Sequence, residues 1–176
     1  MGIAYKYFQI SHDSSIANSP SIIHKTSIGV RNEPKEEAKQ IFVKDAPKIE
    51  YTDFLENPFF LISNTFKKTV EMYNPDFDYK AVVLSEKISG KQTLYWHINL
   101  PHVHCFPEVI RQTKSIVKAK TLDRSRIYIS KVKDLSLFKF HEAAATIPFY
   151  IIRLDLAESI LRRGVVGFTL KGLEDA

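Results

Sequence analysis

A single cysteine, Cys105, stands in the 176 residues. One thiol cannot close an internal disulfide, so a disulfide-stapled framework is excluded and a reducing compartment is expected. Long apolar runs are also missing, since none approaches the ~18 residues that a membrane-spanning helix requires. The N-terminal MGIAYKYFQISHD carries no apolar stretch behind a basic start. No secretory signal is therefore expected, and the cytoplasm is the expected location. Glycine is scarce, with six in all, and none falls in a Gly-x-Gly-x-x-Gly or P-loop spacing. Nucleotide binding of those kinds has no support, and no motif asks for a cofactor. Gly-x-Ser-x-Gly and His-Glu-x-x-His are absent as well, which removes the signatures of the serine-elbow hydrolases and the zinc proteases.

What is present is a globular mixture, 44% hydrophobic and 26% charged. With no repeat and no interdomain linker, residues 1–176 read as a single domain. The net charge of +5 is unevenly spread. Residues 1–88 hold 11 Lys/Arg against 12 Asp/Glu, while residues 89–176 hold 14 against 8. Nine of those bases fall within 111–139, opposed by Asp123 and Asp134. Arg111, Lys114, Lys118, Lys120, Arg124, Arg126, Lys131 and Lys133 are the candidate binding residues, because such a field draws an anionic partner. The plain alternative is a solvated face of lysines guarding exposed strands against pairing.

Patterning predicts a mostly β chain with two or three helices. Ala4–Ile10 and Gln40–Lys44 read as strands, separated by an irregular excursion over 11–38. Pro58–Ile62 is an apolar run bounded by turn residues. Ser63 and Asn64 are capping types, and Phe66, Val70 and Tyr73 recur at helical spacing before Asn74-Pro75. A helix over 64–73 follows, with Lys67, Lys68 and Glu71 on its outer face. Tyr79–Glu86 and Gln92–Leu100 flank Ser89-Gly90 as a hairpin. Phe106–Gln112 reads as a helical turn, and Ile116–Leu122 and Arg126–Ser130 as strands, whereas Leu135–Phe140 is ambiguous. Pro148–Leu154 is strand-like. Asp155 and Glu158 then have the spacing of a capping box, Arg162 and Arg163 suit a helix C-terminus, and Gly164 suits the position after it. Val165–Leu170 is expected as a last strand. The sum is α+β with a mainly antiparallel sheet.

Three groupings could carry chemistry. His97, His102, His104 and Cys105 are possible zinc ligands, and His-x-His on a strand turns both rings to one face. No carboxylate lies in 87–107 to orient them, so no bound metal is expected and a small zinc-dependent enzyme is the lesser alternative. Cys105 beside His104 could suggest a nucleophile, but adjacency in sequence does not place a base across a site, and a structural cysteine is expected. Tyr95 and Trp96 together with 111–139 have the aromatic-plus-basic make-up of nucleic-acid surfaces, which keeps a nucleic-acid-binding module open as the main alternative.

Several stretches in order carry a resemblance. They are Phe59-Phe60-Leu61-Ile62-Ser63 before Phe66-Lys67-Lys68, the strand ending Tyr95-Trp96, Arg126-Ile127-Tyr128-Ile129, and Tyr150 to Gly164 with its Leu-Asp-Leu-Ala-Glu-Ser core. Over about residues 55–172 this resembles bacterial immunity proteins of polymorphic-toxin systems, including a myxobacterial immunity-protein domain. The resemblance implies a non-catalytic cytoplasmic protein that neutralises a cognate protein toxin by direct contact, with no catalytic residue to carry over. The basic balance points to an acidic partner. No membrane role and no nucleic-acid partner is implied.

Overall fold

A computed structural model describes residues 6–23, 38–112, 118–140 and 148–176. In chain order its elements begin with β1 (Tyr7–His12), β2 (Lys39–Val43), β3 (Phe54–Leu55), β4 (Leu61–Ile62), α1 (Asn64–Glu71), β5 (Tyr79–Glu86) and β6 (Gln92–Ile98). There follow β7 (Glu108–Gln112), β8 (Lys118–Leu122), β9 (Arg126–Ile127), a 3-10 turn at Ile129–Lys131, β10 (Leu137–Phe140), β11 (Phe149–Arg153), α2 (Leu154–Arg162) and β12 (Phe168–Asp175). The class is α+β, as the patterning implies. The chain gathers into two compact units, each assembled from separated stretches.

One unit takes Met1–Ile10, Pro101–Ala157 and Leu170–Ala176. Its sheet has the order β10-β11-β1-β12-β9. Alternation along β11 and its partners turns Ile151 and Phe138 into a core shared with Tyr7, Cys105, Phe106, Ile127, Val132, Phe140 and Leu173. The Tyr7 hydroxyl crosses this core and donates to the Val132 carbonyl at 2.6 Å, with the Leu135 carbonyl at 3.2 Å. It thereby anchors the turn after the 3-10 segment. The β7–β8 hairpin pairs antiparallel, Glu108 opposite Leu122 and Gln112 opposite Lys118.

The other unit takes Ser11–Leu100 and Glu158–Thr169. Its sheet has the order β2-β5-β6-β4-β3. One face collects Ile41, Val43, Leu55, Leu61, Val82, Leu84 and Tyr95 into a core under Ile22, Ile49, Tyr51 and Phe59. By strand parity the opposite face carries Phe54, Ile62, Tyr79 and Trp96. Helix α1 begins where Ser63 accepts the Phe66 backbone N–H at 3.3 Å, the cap that the Ser-Asn pair predicts. Its Phe66 ring then lies 6.3 Å from that of Phe54.

Several expectations change. Both five-stranded sheets are mixed, not mainly antiparallel, because β2 runs parallel to β5 and β9 parallel to β12. Residue alternation is the same in either direction. The long crossovers that permit parallel pairing, residues 44–78 and 128–167, are visible in sequence only as other elements. Phe106–Gln112 is not a helical turn, since residues 108–112 find a partner in β8 and extend. Arg126–Ser130 is strand for two residues and then turns 3-10. The last strand is Phe168–Asp175, starting later and running further than Val165–Leu170, because Val165 and Gly167 are used to leave α2. Asp155 lies inside α2, not at its cap. It accepts the Leu156 N–H at 2.8 Å and two bonds from Arg153, while Glu158 pairs forward with Arg162 at 2.9 Å. The capping box therefore does not form. Within the 11–38 excursion, β1 persists to His12 and Ile22 bridges to Val43, and residues 24–37 lie outside the described part.

Candidate functional site

Half of the basic stretch can be placed. Lys114 lies outside the described residues, and Arg111, Lys118 and Lys120 are located by backbone on β7 and β8, with side chains outside the description. Arg124, Arg126, Lys131 and Lys133 are exposed. Arg124 precedes β9, Arg126 opens it, Lys131 ends the 3-10 turn and Lys133 follows it, with β9 at the edge of its sheet. Two are ordered by aromatic rings, with the Arg124 guanidinium 4.6 Å from the Phe149 centroid and the Lys131 ammonium 4.7 Å from that of Tyr128. Arg126 donates to the Asp175 carbonyl at 3.2 Å, across the β9–β12 seam. The fold thus presents a short row of cations, three of which, Arg124, Arg126 and Lys131, are restrained before any partner arrives.

The four possible zinc ligands do not act as one group. His102 and His104 do come together, but not as a strand pair, since no strand covers them and His102 makes an isolated bridge to Lys139. Their rings sit 4.9 Å apart, and both pack on Phe140, His102 stacked and His104 edge-on. Cys105 points the other way into the core, where burial pushes its thiol up to about 12. Such a thiol is un-ionised at neutral pH and unsuited to ligation or attack. His97 belongs to the other unit, where its Nδ1 lies 3.1 Å from the Phe60 carbonyl and its ring packs on Phe59. Among the described residues, no three His, Cys, Asp or Glu side chains are grouped to hold a metal ion.

The aromatic part of the nucleic-acid reading meets a different fate. Tyr79 and Trp96 are diagonal neighbours on β5 and β6. The Lys67 ammonium sits 4.6 Å from the centroid of each ring and pairs with Glu71 one turn along α1. Lys67, expected on the outer face, is only 16% exposed. Its long stem reaches inward while its charge stays paired. Among the described residues, the buried Trp96 Nε1 and Tyr79 hydroxyl find no hydrogen-bond partner, and burial together with the Glu71 charge holds the Tyr79 phenol above its usual range. These rings serve to fasten α1 to the sheet and are covered by Lys67. The i, i+4 spacing of Lys67 and Glu71 was the available signal for this clamp.

No protein-family model matches the chain, and no curated protein matches it.

Proposed function

We propose that the protein acts by binding another protein, as an immunity protein that neutralises a cognate toxin through an acidic surface of that partner. The observation that carries this reading is the row Arg124, Arg126, Lys131 and Lys133, exposed along one sheet edge and partly ordered on Phe149 and Tyr128. Ordered cations steer an anionic partner and lose less freedom on docking than unrestrained ones. A nucleic-acid surface would also want ring faces for stacking, and Trp96 has its indole engaged by Lys67. Among the described residues no helix is long and apolar enough to cross a membrane.

The test is co-expression with the toxin encoded beside the gene, read as rescued growth and as a complex on size-exclusion chromatography. Rescue with a stable complex supports the reading. A submicromolar complex with generic DNA or RNA whose affinity falls steeply with salt, together with no rescue, would replace it by nucleic-acid binding.

A further inference from the structure

His12 closes β1, and its ring is held at both nitrogens. Nδ1 lies 3.2 Å from the Phe54 carbonyl oxygen, and Nε2 lies 2.7 Å from the Ser19 hydroxyl oxygen. A carbonyl has no proton to give, so the Nδ1 contact is a hydrogen bond only if Nδ1 carries the proton. That tautomer leaves Nε2 unprotonated and facing Ser19, whose O–H donates to it. Among the described residues, the other acceptor near Ser19 Oγ is the Ile16 carbonyl, and at 3.5 Å it is at the limit of hydrogen bonding. The carbonyl that orients the ring is itself fixed, since it also accepts from Thr52 Oγ1 at 3.0 Å. Glu56 stands beside this pair and accepts the His12 backbone N–H at 2.9 Å.

A nucleophile, a base within hydrogen-bond reach and a third group orienting that base make up the geometric signature of covalent catalysis. We propose that Ser19 and His12 form a nucleophile–base pair that takes acyl groups from small activated esters. Ser19 Oγ bonds to the acyl carbon while its proton passes to His12 Nε2. The ester C–O bond breaks, and the departing alcohol leaves with that proton. Water then adds to the acyl-serine and gives its proton to Nε2, which returns it to Ser19 as the carboxylic acid departs. Ser19 is half-buried in a loop whose residues 14, 15, 17 and 18 are exposed, and a small acyl donor is the substrate class suited to a partly covered hydroxyl. This function goes beyond partner binding and uses residues remote in sequence from the basic row. The pair has no signature in the sequence, because the serine sits in an irregular loop with no glycine elbow.

The test treats the intact chain with a fluorophosphonate probe, maps the adduct by peptide mass spectrometry, and follows acetate release from p-nitrophenyl acetate. Ser19 should be labelled, and Ser15, exposed and bonded to Asp13, should not. Ser19→Ala should abolish the adduct. His12→Gln, verified as folded by circular dichroism, should slow labelling by at least about 100-fold, the lower end of a general-base contribution. If His12→Gln does not fold, the wild-type comparison of Ser19 with Ser15 decides alone. Absence of a Ser19 adduct on the folded wild-type chain overturns the proposal, as does unchanged labelling in folded His12→Gln. Neither result depends on whether a toxin partner is found.

Discussion

The Tyr7 hydroxyl is a single atom joining strand β1 to a turn more than a hundred residues away in sequence, through the carbonyls of Val132 and Leu135. Burial raises its phenol above the usual range despite the nearby Arg153, so the group acts as a neutral donor at ordinary pH. Tyr7→Phe keeps the ring and its edge contact with Phe138 but removes the hydroxyl's buried hydrogen bond, leaving the Val132 carbonyl with its bond from the Leu135 N–H at 2.9 Å alone. A loss of about 1–2 kcal/mol is expected, seen as a lower urea midpoint at unchanged slope. Glu56 works in the opposite sense. Burial pushes its carboxyl above the ordinary glutamate range, against the backbone hydrogen bond and charge of His12. An acid with a raised folded pKa binds its proton more tightly in the folded state. Stability is therefore lost as pH rises from the unfolded value through the folded one. Glu56→Gln, which retains an acceptor for the His12 N–H, should gain on the wild type between about pH 4 and about pH 7 in paired thermal melts. An equal difference at both pH values would show that the carboxyl carries no such penalty.

At the scale of elements, the two ends of α2 show what sequence pattern can and cannot reveal. The C-terminal end was legible. Gly164 takes φ +68°, its N–H bonds to Leu161 at 3.0 Å, and the Val165 N–H reaches back to Ile160 at 3.2 Å, the paired bonds of a glycine-terminated helix. The N-terminal end was misread because Asp155 has a stronger local partner in Arg153, which takes both carboxylate oxygens. A capping pattern lists what a side chain could bond, whereas the fold decides which bond competes best. Helix α1 was legible because Ser63, Phe66 and Val70 meet no such rival. Strand direction was not legible, since alternation in β2 and β5 fits parallel and antiparallel partners equally. The candidate Ser19–His12 pair was hidden for a related reason: it depends on where Phe54 is brought by β3. Two glycines test the point that local conformation and tertiary approach are separate demands. A Cβ on Gly164 would meet nothing, while one on Gly167 would run into the Thr52 side chain, and both have positive φ. Gly164→Ala should cost about 1 kcal/mol from backbone conformation alone. Gly167→Ala should cost roughly 1–3 kcal/mol more, from overpacking, by urea denaturation. Equal costs would mean that the loop at Gly167 moves freely away from Thr52.

For the molecule as a whole, the distribution of charge matters more than the total of +5. The described part of the basic row separates into a cation that bonds across strands and cations that rest on rings or reach solvent. Arg126 helps close the β9–β12 seam through Asp175, so its replacement would confound binding with sheet integrity. Arg124, Lys131 and Lys133 are exposed and can be reversed without removing a buried group. Changing these three to Glu moves the net charge by six, from +5 to about −1. If the row steers an acidic toxin, association at low salt should slow by about tenfold or more, and dissociation should change little. The gap should narrow as salt is raised, because charges separated by more than the screening length of ~8–10 Å cease to act across solvent. Stopped-flow association at two ionic strengths reads both quantities on the same preparation. A variant that loses affinity mainly through faster dissociation would show that these cations lie in a desolvated contact and not at its steering rim. Unchanged association with a bona fide toxin would remove the row from the interface altogether and send the search to the other unit.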